Sequence, residues 1–263
     1  MLDEPYRWLE AVGNRREYIE EQLTTGSPVV GLTYDDGILL LTIGRGQRKV
    51  FEIYDRIALS AIGHPADIEK LRILAIDAAH LEGFNSSATD VTLHRLVNFV
   101  IGPVIKQSFD EIFRSPYIIK MLMVELSSKS NPNQFYAINY DGSLRIEQDY
   151  EILAGTEKAE NEMLKRLSEM QTGNPPVLER ALKFALEVWA IGRKISSAED
   201  SSVSDDEHSE IAKMDELTLH NLIKEELKHG AIEAAVLQKS RISSSKFRLL
   251  SKMEIDTILK GWL

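Results

Sequence analysis

The sequence predicts an α+β fold, a four-layer αββα sandwich of two antiparallel sheets with helices on both outer faces. Three observations predict it. Short apolar strands come in blocks that alternate with pairs of amphipathic helices, and stacking two sheets between helical layers buries all of those faces. The run Ile38-Leu39-Leu40-Leu41 is apolar on both faces of the pleat, so its sheet is covered on both sides. The stretch 90–113 carries Val97, Val100, Ile101, Val104, Ile105, Phe109 and Phe113 on more than one helical face, the pattern of a largely buried helix.

Each element follows from local pattern. Residues 5–25 read as an amphipathic helix with Trp8, Val12, Ile19 and Leu23 on one stripe; Pro5 suits its start, and Gly26 with Pro28 ends it. Strands 29–34 and 38–43 flank Asp35-Asp36-Gly37, a hairpin-turn signal. Strands 49–53 and 57–62 flank Tyr54-Asp55-Arg56. Helices 65–83 and 90–113 come next; Ile68, Leu71, Leu74 and Ala78 stand at helical spacing in the first. Strands return at 118–126, 134–140, 144–146 and 150–154, with Asp141-Gly142 as a turn. Helices 156–170 and 176–192 follow, the second ending at Gly192. After residue 212 come a short helix at 213–228, with Met214, Leu217, Leu222 and Ile223 apolar, strands 231–237 and 246–250, and a closing helix 253–259.

Between them, residues 196–210 change character: twelve of the fifteen are Ser, Asp or Glu. Such a stretch cannot bury apolar surface, so 196–212 is expected to be a mobile insert.

Composition excludes several chemistries. With no cysteine among 263 residues, disulfides, thiol catalysis, iron–sulfur clusters and thiolate zinc sites are excluded. The absence suits a reducing cytoplasm. A net charge of −10 argues against a general binder of nucleic-acid backbones. Residues 1–22 are studded with charges and lack the apolar core of a signal peptide, and no apolar run is long enough to span a membrane. The histidines His64, His80, His94, His208, His220 and His229 form no zincin pair. Asp205-Asp206-Glu207-His208 reads as solvated linker, and Gly44-Arg45-Gly46 as a plain inter-strand loop, so no cofactor and no metal are expected.

One ordered set of motifs carries a family resemblance. It runs Gly26-Ser27-Pro28-Val29-Val30-Gly31-Leu32, Asp36-Gly37-Ile38-Leu39, Arg48-Lys49-Val50, Tyr54-Asp55-Arg56-Ile57 and Ala61-Ile62-Gly63. It continues through Tyr140-Asp141-Gly142-Ser143, Leu153-Ala154-Gly155-Thr156 and Ala234-Ala235-Val236-Leu237. In this order and spacing the chain resembles the proteasome subunits, most nearly the bacterial α subunits of actinobacterial type. The resemblance implies the N-terminal nucleophile hydrolase fold, which is the sandwich reached above from periodicity.

It also poses a choice between two functions. Proteasome β subunits are hydrolases whose nucleophile is a hydroxyl on the first residue, freed by cleavage after a glycine, with the α-amine as base. By resemblance Ser27 stands at the nucleophile position, Lys49 at the lysine position, and Ile43 where the family has an aspartate. Residues 5–25 carry a consistent apolar stripe, as a retained element would and a discarded propeptide need not. The favoured reading is therefore a non-catalytic α subunit. The alternative is a catalytic β-type hydrolase with Ser27 as nucleophile and Lys49 beside it.

An α subunit of this family forms a heptameric ring on each end of a β chamber within a threonine-type endopeptidase complex. Its N-terminal tail gates the entry of unfolded protein, and a hexameric AAA+ ATPase docks its C-termini between neighbouring α subunits. The resemblance places the gate at Met1, Leu2, Asp3, Glu4, Pro5 and Tyr6, and the docking pocket at Lys49 and Gly63. Tyr6-Arg7-Trp8 departs from the Tyr-Asp-Arg turn of archaeal and eukaryotic gates. The chain divides into a tail and first helix (1–25), the main sandwich (26–195), the acidic insert (196–212), and a closing unit (213–263), all within one domain.

Overall fold

Every expected strand forms, and the strands divide into two five-stranded antiparallel sheets. The computed structural model describes residues 4–111, 113–127, 132–170, 173–199 and 216–263. Helix α1 spans Glu4–Thr24 and is followed by β1 (Val29–Tyr34), β2 (Gly37–Gly44), β3 (Val50–Tyr54) and β4 (Ile57–Gly63). Helix α2 is Pro65–Asn85. Helix α3 begins at Leu93–Leu96, passes through a π-helical turn at Val97–Ile101 and continues over Gly102–Asp110. The second strand block is β5 (Ile119–Glu125), β6 (Gln134–Ile138), β7 (Leu144–Glu147) and β8 (Tyr150–Leu153). Then come α4 (Glu157–Met170), α5 (Leu178–Glu199), α6 (Glu216–Leu227), β9 (Ala231–Gln238), β10 (Phe247–Leu249) and α7 (Lys252–Leu259).

One sheet runs β10-β9-β2-β1-β8 and the other β3-β4-β5-β6-β7. The period-2 alternation of the strands sorts their side chains into three apolar layers. In β2, Leu39, Leu41 and Ile43 face α4 and α5, while Ile38 and Leu40 face the opposing sheet. In β5, Met121 and Met123 face α2 and α3, while Leu122 and Val124 enter the inter-sheet layer. Both strands are buried on both faces, which is why they read as continuous apolar runs.

Helix α1 closes one end of the inter-sheet layer. Ile19 and Leu23 are fully buried within it. Arg15 donates to the carbonyls of Ser108 (2.7 Å) and Arg114 (2.9 Å), and the Tyr140 hydroxyl donates to Glu20. The first turns extend past the sandwich instead: Trp8 is 51% exposed and Leu9 67%. The apolar stripe expected to pack along its whole length packs from Val12 onward, through Ile19 and Leu23, and leaves Trp8 uncovered.

Four other expectations are corrected. Gly192 does not end its helix; α5 runs on to Glu199. A Cβ at Gly192 would stand 2.2 Å from Met163 Sδ and 3.2 Å from Pro28 Cγ, so the glycine is a crossing point against α4 and not a terminator. The acidic insert accordingly begins later than residue 196: Ile195 and Ser196 are buried on α5, and residues 200–212 lie outside the described residues, as does Met214. Phe113, expected on a buried face, is fully exposed because α3 stops at Asp110, and Leu217 is exposed while Leu219 and Ile223 supply the buried face of α6.

Candidate functional site

The loop after α1, the end of β2, the start of β3, the end of β4, α5 and α6 meet around one cavity of about 260 Å³. Ser27, Arg45, Lys49, Gly63, Arg193 and Glu226 are among its lining residues. The residues expected at the nucleophile position and in the docking pocket therefore share one site.

Ser27 is fully engaged there. Its hydroxyl donates to the Ile43 carbonyl at 2.7 Å and accepts the indole N–H of Trp189 at 3.2 Å. Thr42 Oγ1 lies 3.4 Å away and is itself committed to the Pro28 carbonyl at 2.7 Å. The proton that a base would have to take is held by a backbone oxygen. Ile43, at the aspartate position, buries its side chain in the helix-side core and brings only that carbonyl.

Freeing the Ser27 amine would also remove α1. Gly26 donates back to the Leu23 carbonyl at 2.8 Å, and Ile19 and Leu23 fill the inter-sheet layer. Burial of two aliphatic side chains stabilises by about 1.5–3 kcal/mol each, so cleavage after Gly26 would open the core.

Lys49 is positioned through its backbone. Glu233, on β9 of the other sheet, accepts from Lys49 N with both oxygens at 2.9 Å and from Val50 N at 2.8 Å. A carboxylate that takes two successive N–H groups fixes where β3 starts. The Lys49 ammonium has no hydrogen bond or ion pair with any described residue. Burial pushes it below the ordinary lysine range; Glu233 opposes this, while Arg193 and Arg45 act with burial.

Glu226 closes the cavity's rim. Its Oε2 accepts from Arg45 Nη2 at 2.9 Å and its Oε1 from Arg193 Nε at 2.9 Å. Burial alone would raise the Glu226 carboxyl, yet hydrogen bonds from Arg193 and Arg45 hold it below the ordinary carboxylate range. Gly63 sits at φ 130°, and a Cβ there would lie 2.0 Å from the Ile118 carbonyl oxygen. Only glycine fits that backbone.

The expected gate is seen only in part. Met1, Leu2 and Asp3 lie outside the described residues, and the backbone of Glu4, Pro5 and Tyr6 forms the first turn of α1. The linker residues Asp205–His208 lie outside the described residues as well.

Sequence reading missed Arg45, Trp189, Arg193, Glu226 and Glu233. They converge from four separate elements, and no local spacing relates them. It also missed an ion network between the sheets, buried at Lys120, Glu151 and Glu160 and open to solvent at Arg145, whose side chain is 44% exposed. Lys120 Nζ donates to Glu160 at 2.7 Å, and Arg145 donates to Glu160 at 2.7 Å and to Glu151 at 3.2 Å. These four residues link β5, β7, β8 and α4. Each charge is paired, as buried charges must be.

Known proteins sharpen this geometry. The family model of proteasome subunits matches residues 23–173. A "Proteasome subunit alpha" of Thermomonospora curvata is 30% identical over 187 residues, covering 70% of this chain and 80% of that protein. One of Streptomyces griseus is 28% identical over 252 residues, covering 95% of this chain and 82% of its own. One of Rhodococcus erythropolis is 33% identical over 150 residues, covering 54% and 57%. A sandwich closed at one end by its first helix, with a serine hydroxyl hydrogen-bonded on both sides at the expected nucleophile position, agrees with these matches: the chain belongs to the proteasome subunit family and is similar to its actinobacterial α members.

Proposed function

We propose that this chain is a non-catalytic α subunit of a 20S proteasome core particle, assembling with β subunits that carry the hydrolytic chemistry. One observation carries the reading. The Ser27 hydroxyl is held between the Ile43 carbonyl and the Trp189 indole, behind a first helix whose loss would open the core.

The finer reading follows from the same site. Seven copies form an outer ring on each end of the β chamber. Exposed apolar side chains support an assembled state: Trp8 and Leu9 on α1, and Leu81, Phe84 and Phe99 on the α2–α3 layer. Residues 1–6 form a gate that limits the entry of unfolded protein. The cavity at Lys49 and Gly63 takes the C-terminus of an activating hexameric ATPase in the cytoplasm. A half-buried lysine with no partner among the described residues suits a single carboxylate, since a charge-assisted contact in a partly desolvated site is stronger than one in water.

Co-expression with the β subunit encoded in the same genome tests the assignment. A particle with seven-fold outer rings, in which intact mass shows residues 1–26 retained, is expected. Ser27→Ala should leave its peptide hydrolysis unchanged. Loss of hydrolysis with assembly intact, or a chain beginning at Ser27, would identify a β-type hydrolase instead.

A further inference from the structure

The rim carboxylate of the Lys49 cavity has its own consequence. Three cations line the cavity, Arg45, Lys49 and Arg193, and Glu226 is its lining anion. Both Glu226 oxygens are spent, one on each guanidinium. The Glu226 and Arg193 side chains are only 15% and 16% exposed, so this is no solvated surface pair. Glu233 stands behind Lys49 with its oxygens on the Lys49 and Val50 N–H groups. Together these five groups carry one surplus positive charge, and the cation without a partner is the Lys49 ammonium.

We propose that Glu226 is a specificity-determining residue, which limits this pocket to ligands bearing one carboxylate and turns away those bearing a second negative charge close by. The inference rests on the docking reading of the cavity. A tail with a single terminal carboxylate meets one unpaired cation. A second negative charge finds both guanidiniums already neutralised by Glu226, and it must share an arginine with that carboxylate at close range. Like charges in a partly desolvated site repel strongly. Without Glu226, two guanidiniums would be released and the preference would invert. Specificity of this kind comes from the repulsive group as much as from the attractive one.

The bland alternative is that Glu226 only fastens α6 to α5 and to the loop after β2. A fastener would affect all ligands alike, so a ratio of affinities separates the two roles. Three fluorescent peptides of one sequence serve as probes on the assembled particle. One ends in a free carboxylate, one in an amide, and one has Glu placed before the free carboxylate.

In the wild type, the free carboxylate should bind better than the amide, and the doubly charged peptide should bind about tenfold more weakly than the singly charged one. Glu226→Gln should bring that ratio to about one or reverse it. Arg45→Gln, at a rim side chain that is 58% exposed, should widen the ratio, since it removes a positive charge and leaves Glu226 in place. That second variant decides the matter even if Glu226→Gln does not fold. A ratio unchanged in the variants, with affinities moving in parallel, would reduce Glu226 to a fastener. Equal binding of carboxylate and amide by the wild type would instead overturn the docking reading, and this inference with it.

Discussion

Trp189, deep in α5, donates its indole N–H to the hydroxyl of Ser27 across 3.2 Å. The contact joins the helical layer to the loop that leaves α1, and with the Ile43 carbonyl, which takes the Ser27 proton, it fixes the hydroxyl as donor and acceptor at once.

Truncating Ser27 should therefore be felt in stability. Ser27→Ala leaves the Trp189 N–H and the Ile43 carbonyl without their partner. An unsatisfied buried polar group costs about 1–3 kcal/mol. Urea denaturation of the isolated chain should show a loss of that order, and Trp189 fluorescence should report the altered surroundings. An unchanged midpoint would mean that water replaces the hydroxyl at no cost.

Lys49 should behave in the opposite way. Its ammonium is partly desolvated and has no partner among the described residues, so Lys49→Met should leave the urea midpoint unchanged or raise it. The same change should weaken binding of an activator tail about tenfold or more, the worth of one charge-assisted hydrogen bond. Titration of an activator C-terminal peptide onto wild-type and variant particles measures this directly. Equal affinities would remove Lys49 from the docking role; loss of assembly would make it structural.

Gly192 offers a packing test. A leucine there would collide with Met163 Sδ and Pro28 Cγ. Overpacking of this kind typically costs about 1–3 kcal/mol. Gly192→Leu should lower the urea midpoint, and adding Met163→Ala should recover much of the loss, a coupling expected only of residues in contact. Strictly additive losses would separate the two sites.

That glycine also shows where sequence reading stops. The strands were legible because period-2 alternation and double-sided burial leave a mark on every residue, as in β2 and β5. The path of α5 was not, because glycine carries opposite meanings at a helix end and at a helix crossing, and only the position of Met163 distinguishes them. Lys49, Gly63 and Ser27 are singled out by their motifs, and the structure brings the three to one cavity. Arg193 and Glu226 were not, because a pairing between residues 33 apart on two helices leaves no periodic trace.

The Glu226 bridge should make the cavity's rim sensitive to acid. The carboxyl lies below its ordinary value of 4.5 in the folded chain because Arg193 and Arg45 hydrogen-bond its charged form. A depressed carboxyl pKa contributes stability that is present above the unfolded value and is lost as pH falls through the folded one. Wild type should exceed Glu226→Gln in urea midpoint at pH 7, and the gap should close below pH 4.5. A gap that persists in acid would mean that geometry, not charge, fastens α6.

The pairing of β2 with β9 bears on how the chain is made. Along its full length, from Gly37 opposite Gln238 to Gly44 opposite Ala231, β2 is flanked by a strand that leaves the ribosome long after it. Until then one edge of an eight-residue strand, all of it buried in the finished protein, stays open. Such an edge templates pairing with any neighbouring nascent chain. Solubility during synthesis thus hangs on residues 231–238, and a polysome crowded with unfinished copies is where this protein is most exposed to aggregation.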